Sequence, residues 1–291
     1  MKSGFVNIFG KPNAGKSTLL NALMGEKLAI VSPKVQTTRH RIKAILTEPG
    51  YQIIFSDTPG IIEPKYRLHE KMMQAVKSCL EDADLAILLV DIHDDWEAAD
   101  TLFQQLRLKV PAFVVLNKID GIRTKDTERI TAGEAFFKEA PYCKEVFSIS
   151  ALQKKGTDAL LARLIESLPE GPAFFEGDAV SDLPMKFFVS EIIREKIFDL
   201  FQEELPYQTT VLIREYKEKT TLIKIHADII VHRESQKAII IGEKGNMIKK
   251  IGTLARHDIE AFVGSKVFLE LFVKVREKWR ENEVFLREYG Y

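Results

Sequence analysis

The stretch Gly10-Lys11-Pro12-Asn13-Ala14-Gly15-Lys16-Ser17 constrains this chain more than any other, because its glycine spacing and its flanks are both restrictive. It follows an apolar run at 5–9 and opens a helical pattern over 16–24. A strand that passes through a glycine turn into a helix N-terminus offers converging backbone N–H groups to an anion. Gly10, Lys11, Pro12, Asn13, Ala14, Gly15, Lys16, Ser17 and Thr18 are therefore the candidate phosphate contacts. Lys16 would reach the outer phosphates, and the Ser17 hydroxyl suits Mg²⁺, a hard ion that prefers oxygen. A glycine turn that only caps a helix is the plain alternative, and the flanking strand and helix weigh against it.

Beyond that loop, apolar runs alternate with amphipathic stretches. Strands are predicted over 5–9, 41–47, 51–55, 85–91, 112–117 and 146–149, and helices over 16–24, 68–81, 96–107, 127–138 and 158–168. Glu48-Pro49-Gly50 is turn chemistry, so the second and third strands should form an antiparallel hairpin. Residues 85–90 and 112–116 are apolar at every position, as strands covered on both faces must be. The expectation for 1–170 is an α/β domain, a mostly parallel sheet with helices on both faces. Trp96, with Asp94, Asp95 and Glu97 around it, reads as a helix start favoured by acidic residues.

Residues 171–184 read as a linker with turns. An α+β domain is expected over 185–275: a helix carrying Phe188, Ile192, Ile193, Ile197, Leu200 and Phe201, strands over 209–216 and 221–230, a helix over 246–262 and a strand over 267–275. The remaining tail, 276–291, is basic and then aromatic and reads as helical. Its Trp279 either lies exposed, able to touch RNA or a membrane surface, or anchors the tail on its own domain.

Charge is balanced at 42 basic and 42 acidic residues, so any polyanion site must come from local placement. Cys79 and Cys143 have no partners at metal spacing and read as buried reduced thiols of a cytoplasmic protein, with a disulfide the weaker alternative. The N-terminal stretch lacks the pattern of a signal peptide, and no apolar run has the length of a membrane span. His226 and His232 fall on a strand pattern without metal spacing and read as structural or surface residues.

Three more loops sharpen the nucleotide reading. Asp57-Thr58-Pro59-Gly60 ends a strand, where Asp57 can hold Mg²⁺ through water and the Gly60 N–H can meet a γ-phosphate. Asn117-Lys118-Ile119-Asp120 ends another strand. The Asp120 carboxylate can accept from both N1–H and the N2 amine of guanine, whereas adenine offers neither donor. Ser150-Ala151 follows the last strand and would bring the Ala151 N–H near guanine O6. All these loops lie at C-terminal strand ends, where open α/β sheets bind ligands.

In this order and context the four motifs resemble a translation-factor-class GTPase over the whole first domain. The resemblance implies GTP as substrate, Mg²⁺ as cofactor, and a guanine site of Asn117, Lys118, Asp120, Ser150, Ala151 and Leu152. It implies switch segments at Gln36, Thr37 and Thr38 and at Asp57, Thr58, Pro59, Gly60 and Ile61. A threonine of the first switch would join Ser17 and Asp57 around Mg²⁺, with Thr38 favoured by its place before Arg39; two threonines in a solvated loop remain the alternative. Where many GTPases carry a water-orienting Gln, this chain has Ile61, which cannot position water by hydrogen bonding. Slow or assisted hydrolysis follows. The hydrophobic-substituted GTPases include some that use K⁺ held partly by the residue matching Asn13, although that side chain could equally satisfy loop backbone groups. Arg39 and Arg41 read as solvated loop charges, and no arginine finger is identified.

In the second domain, Ile241-Gly242-Glu243-Lys244-Gly245 sits between two apolar segments, with Lys249 and Lys250 just beyond. Between Lys237 and Arg256 there are five basic residues and one acidic residue. A Gly-x-x-Gly turn in such a basic patch lets a nucleic-acid backbone approach closely. The segment resembles a type II KH domain, whose loop clamps nucleotides, with Ile241, Gly242, Glu243, Lys244, Gly245, Lys249 and Lys250 as its RNA contacts. Propensity alone makes 238–241 a strand; the KH resemblance makes it the end of a helix. That reading is adopted.

A GTPase of this class joined to one type II KH domain resembles a bacterial family that acts in assembly of the small ribosomal subunit. That likeness implies partners GTP/GDP, the 3′ end of small-subunit rRNA and the 30S subunit, and a monomer in the cytoplasm with peripheral contact at the inner face of the plasma membrane. An RNA-binding adapter with a structural nucleotide, or a GTPase acting on another RNA, are the rival readings.

Overall fold

A computed structural model describes residues 1–32, 34–123 and 126–291. The chain divides into two compact units: Met1–Pro64 with Lys71–Asp182, and Lys65–Glu70 with Leu183–Tyr291.

The first unit is built on six strands: β1 (Lys2–Phe9), β2 (Ile42–Glu48), β3 (Tyr51–Asp57), β4 (Leu85–Asp91), β5 (Ala112–Asn117) and β6 (Cys143–Ser148). Their order is β2-β3-β1-β4-β5-β6. All neighbours are parallel except β2 and β3, which pair antiparallel from Glu48 opposite Tyr51, as the Pro-Gly turn requires. The helices are α1 (Lys16–Met24), α2 (Arg67–Ser78, of which Lys71–Ser78 falls in this unit), α3 (Trp96–Gln104), α4 (Glu128–Lys138) and α5 (Thr157–Ser167). On β4, Ala86, Leu88 and Val90 pack with Val76, Phe103 and Phe137, while the alternate residues Leu85, Ile87 and Leu89 are buried outside that cluster. Period-two alternation with both sets apolar is what a sheet covered on both faces needs.

The edge strand β6 begins three residues before the predicted 146, because exposed Lys144 and half-buried Glu145 hide the pattern there. Helix α3 ends at Gln104 rather than 107, where Arg107 turns to a left-handed φ of 51°. Asp95 caps the start of α3 by accepting from the Ala98 N–H at 3.1 Å. The stretch read as a linker is hydrogen-bonded to this unit. Gly171 N–H donates to Met1 O, Gln52 Nε2 to Phe175 O at 3.0 Å, and Ile45 N–H to Val180 O at 2.9 Å.

The second unit comprises α6 (Met185–Leu200), β7 (Thr210–Glu218), β8 (Ile223–Val231), α7 (Glu234–Ile241), α8 (Asn246–Val263), β9 (Val267–Val275) and the short α9 (Glu283–Glu288). Its sheet runs β7-β8-β9, with β7 antiparallel to β8 and β9 parallel to it. Parallel pairing needs a crossover, and α7 with α8 supplies it. One core joins Ile193 and Ile197 of α6, Ile225, Ala227 and Ile229 of β8, Ile240 of α7, and Ile251, Ala255 and Ile259 of α8. Residues 238–241 are helical despite three consecutive isoleucines, since only Ile240 is fully buried and the helix is held by that contact. This unit also takes in Lys65–Glu70: Leu68 N–H donates to Arg280 O at 3.0 Å, and Arg67 pairs with Glu283.

The tail is helical only over α9. Trp279 is wholly buried, and its indole N–H donates to Gln208 O at 3.0 Å. It anchors the tail on its own unit, and the exposed-tryptophan reading is withdrawn together with the membrane or RNA contact that would have used it.

Candidate functional site

The loop after β1 wraps around the Lys16 ammonium, which donates to Gly10 O at 3.2 Å and Lys11 O at 2.9 Å. Burial lowers the Lys16 pKa to about 8, opposed by the nearby Asp57 carboxylate. Gly10 leaves no room for a side chain: a Cβ there would lie 2.3 Å from Leu89 O. Gly60 is excluded from change in the same way, its Cβ position being 2.8 Å from the Pro12 ring. The phosphate loop and the loop after β3 thus lie backbone to backbone, with Ile61 N–H donating to Gly10 O at 3.4 Å.

Three oxygens converge at the start of α1. Ser17 Oγ donates to Asp57 Oδ2 at 2.7 Å, Thr38 Oγ1 donates to the same oxygen at 3.2 Å, and the two hydroxyls are 2.9 Å apart. Asp57 is fully buried, and its Oδ1 has no hydrogen-bond partner. Burial raises its pKa, while Ser17, Lys16 and Thr38 act in the opposite direction. An orphaned carboxylate oxygen beside two hydroxyls is a donor set for a hard divalent cation, so these residues fit Mg²⁺. Thr37 is elsewhere, its hydroxyl donating to Lys34 O at 2.7 Å. The Thr58 hydroxyl donates to Ile8 O and serves the strand rather than the cleft.

Ile61 packs on the cluster of Phe9, Val76 and Leu88, so its side chain is engaged in apolar contact. Asn13 sits in the loop with a left-handed φ of 65°. The cleft bordered by Asn13, Lys16, Ser17, Gln36, Thr38 and Gly60 also includes Lys118.

The guanine-type loops are joined to the phosphate loop by one side chain. Asn117 Nδ2 donates to Ala14 O at 2.9 Å, and Asn117 Oδ1 accepts from the Ala151 N–H at 2.9 Å. The Ala151 N–H, expected to point at a base, is therefore engaged within the protein. Ser150 Oγ donates to Asp120 Oδ1 at 2.5 Å, fixing the carboxylate while leaving Oδ2 for a ligand. Leu152 is 75% exposed, an unusual state for leucine, on the loop that follows.

Arg39 and Arg41 are not solvated loop charges. Arg39 is buried, and Arg41 donates to Ser56 Oγ at 2.9 Å and pairs with Asp82 at 2.6 Å. Arg41 thereby ties the start of β2 to the residue preceding Asp57.

In the second unit, Gly242 ends α7 at φ 72°, and a Cβ there would lie 2.6 Å from Met247 Cβ. Lys244 and Gly245 also have positive φ, 52° and 78°. This tight turn projects Lys244 and starts α8, whose Lys249 lines a groove with Ile248, Gly252, Thr253 and Arg256 opposite Leu269 and Leu271 of β9. Its apolar floor and basic rim suit unpaired bases and phosphates. Of the residues the sequence pointed to, Lys249 lines this groove; Thr253, Leu269 and Leu271 line it too and carry no motif signal, although the apolar alternation of β9 points to the two leucines. Among the described residues no cluster of His, Cys, Asp and Glu could hold a metal, and His226 lies 3.0 Å from Glu215 as a structural pair.

Comparison with known proteins fits this geometry. The 50S ribosome-binding GTPase family matches residues 5–118, and the KH domain family matches 204–280. The chain is 44% identical over 299 residues to the GTPase Era of Geobacter metallireducens, covering 100% of this chain and 98% of that one. It is 45% identical over 294 residues to the GTPase Era of Thermotoga maritima, covering 100% and 97%. Among solved structures, an Aquifex aeolicus Era variant bound to GDP and aluminium fluoride superimposes with a TM-score of 0.95 at 40% identity, covering 100% of this chain and 99% of that one. An Era complex with MgGDPNP and nucleotides 1506–1542 of 16S ribosomal RNA gives a TM-score of 0.94 at 41% identity, again covering 100% and 99%.

Proposed function

Because the chain belongs to the Era family of GTPases, with a GTPase domain followed by a KH domain, we propose that it hydrolyses GTP with Mg²⁺ and binds the 3′ region of small-subunit rRNA. The observation that carries the nucleotide half is the buried, unpartnered Asp57 Oδ1 beside the Ser17 and Thr38 hydroxyls. The Gly242–Gly245 turn opening onto the α8–β9 groove supports the RNA half.

In this reading Ser17, Thr38 and, through water, Asp57 hold Mg²⁺. Such an ion would supply positive charge to offset that developing on the phosphate oxygens. Lys16 releases its hold on the loop carbonyls to meet the outer phosphates. The N–H groups of residues 13–18 surround the phosphates, and the Gly60 N–H faces the γ-phosphate. Asp120 reads the guanine N1–H and N2 amine, while Ile119, lying between Lys118 and Asp120, contributes only backbone. Ile61, engaged with Phe9 and Val76, orients no water, so intrinsic turnover is slow. A K⁺ ion held by Asn13 would supply part of the missing assistance.

We take the nucleotide domain as 1–170, the connecting stretch as 171–184, the RNA-binding domain as 185–275 and the tail as 276–291. We place the protein in the cytoplasm; among the described residues no helix is long and apolar enough to cross a membrane. Peripheral contact with the inner face of the plasma membrane would rest on surfaces other than buried Trp279.

The test is GTP turnover by the full chain with Mg²⁺, in K⁺ or Na⁺, with and without an RNA matching the 3′ end of 16S rRNA. GDP formation that requires Mg²⁺, together with salt-sensitive RNA binding, supports the reading. Absence of GDP after hours in every condition would leave an adapter with a structural nucleotide. Crosslinking through Lys244 in cells that recovered chiefly tRNA would overturn the ribosomal target.

A further inference from the structure

We propose that Asp91, at the end of β4, is a positioning residue of the nucleotide site, acting through Lys118. Its Oδ2 lies 2.7 Å from Lys118 Nζ, and the pair is fixed from both sides. Asp91 and Asn117 are partners in the β4–β5 ladder, and Ile92 N–H donates to Asn117 O at 3.0 Å. The carboxylate itself is held in place by the His93 N–H, which donates to Oδ1 at 3.0 Å.

Lys118 needs such a partner. Its backbone has a left-handed φ of 66°, which strains a residue with a Cβ, and the residue lines the cleft. A lysine stem has four methylenes and many rotamers, and an untethered ammonium draws it into water. Pinned at Nζ by Asp91, the stem stays as a wall of the cleft that also contains Pro12, Gly15 and Lys16. A preorganised wall loses less entropy when a nucleoside docks against it.

The turn that bears Asp91 is itself rigid and reaches the phosphate loop. Arg129 donates to Ile92 O at 2.7 Å and to Asp94 O at 3.2 Å, and its guanidinium lies 4.8 Å from the centre of the Trp96 ring. From the opposite side Lys11 Nζ donates to Asp95 O at 3.3 Å. One five-residue turn therefore braces a lysine from each half of the nucleotide site, the base loop by Asp91 and the phosphate loop by Asp95. Neither contact follows from a motif, because Asp91 stands outside all four.

The proposal rests on the guanine-nucleotide reading, and the experiment separates the two. GDP affinity and steady-state GTP turnover are measured for the full-length wild type, Asp91→Asn, Asp91→Glu, Lys118→Met and the double variant Asp91→Asn/Lys118→Met, with thermal unfolding of each nucleotide-free protein. Wild type that binds no GDP would sink both readings. The expected result is an approximately tenfold weaker GDP affinity for Asp91→Asn, carried mainly by faster release and a higher KM. Asp91→Glu should recover part of the loss, and Asp91→Asn should add little in the Lys118→Met background. Should Asp91→Asn unfold, Asp91→Glu compared with and without the Lys118→Met substitution reads the same coupling. Overturning results are wild-type affinity in Asp91→Asn, or the same loss whether or not Lys118 is present.

Discussion

Ser17 Oγ lies 2.7 Å from Asp57 Oδ2, so the first turn of α1 and the end of β3 meet through a single hydrogen bond. With Thr38 on the same oxygen and Oδ1 left without a partner, the three hydrogen-bonded residues form a donor set that fits a divalent ion. Asp57→Asn retains the shape but removes the charge. It is expected to weaken Mg²⁺-dependent GTP binding by about 10–100-fold. Titrating Mg²⁺ against bound nucleotide measures this; an unchanged Mg²⁺ requirement would remove Asp57 from the site.

Base selection is expected to rest on a different carboxylate. Asp120, fixed by Ser150 Oγ at 2.5 Å, is expected to confer guanine preference through its free oxygen lone pairs. Asp120→Asn should lower GTP affinity by about 10⁴ and favour xanthine nucleotides, which keep the N1–H donor but carry a C2 carbonyl that accepts from the asparagine amide. Competition between GTP and XTP reads the exchange directly, and retained GTP preference contradicts the assignment.

What was legible in the sequence follows chain distance. The phosphate loop, the Asp57–Gly60 loop, the Asn117–Asp120 loop and the Gly242–Gly245 turn are each set by neighbours within a few residues, so composition at fixed spacing specifies them. The helical state of residues 238–241 needed the KH resemblance, because three isoleucines read as strand until the crossover between β8 and β9 is known. Arg41 and Trp279 were out of reach for another reason. Their partners, Asp82 and Gln208, are 41 and 71 positions away, and a charged or aromatic residue beside a loop looks solvated until the fold closes over it. The pairing of Asp91 with Lys118 is hidden in the same way, by the register of β4 on β5.

Trp279 is the largest fully buried side chain among the described residues, and its ring packs against those of Tyr289 and Tyr291 in the tail. Trp279→Ala should cost about 3–5 kcal/mol of stability. Trp279→Phe keeps most of the apolar contact but leaves Gln208 O without its donor, a loss of about 1 kcal/mol. Denaturant unfolding of the full chain tests the ranking. Equal stability of the alanine variant and wild type would contradict the anchor.

The tail is also joined to β8 by a titratable group. His232 Nδ1 accepts from the Lys278 N–H at 2.8 Å, which requires an unprotonated nitrogen. Burial, followed by Arg280 and Arg233, lowers its pKa from the ordinary 6.5. Below that value the unfolded chain takes up the proton more readily than the folded one, so this contribution is present above pH 6.5 and is lost as pH falls through the folded value. Wild type should therefore lose more thermal stability than His232→Asn between pH 7.5 and about 5.5. Parallel pH profiles for the two proteins would show that His232 does not titrate against the tail.

The two glycines of the KH turn should respond unequally to alanine. At Gly242 a methyl would lie 2.6 Å from Met247 Cβ and 2.9 Å from its backbone nitrogen, and the positive φ adds strain. At Gly245 the same methyl meets nothing within 4 Å, leaving only the backbone term of about 1 kcal/mol. Gly242→Ala must shift the start of α8, and with it Ile248 and Lys249 at the groove wall, so RNA affinity should fall well beyond the loss in Gly245→Ala. Aspartate at either position adds a charge facing phosphate and should abolish binding while GTP turnover persists. Fluorescence anisotropy with a labelled 16S 3′-end RNA, over a salt series, measures all four variants. If Gly245→Ala proved the more damaging, the clash at Met247 would not be what shapes this loop.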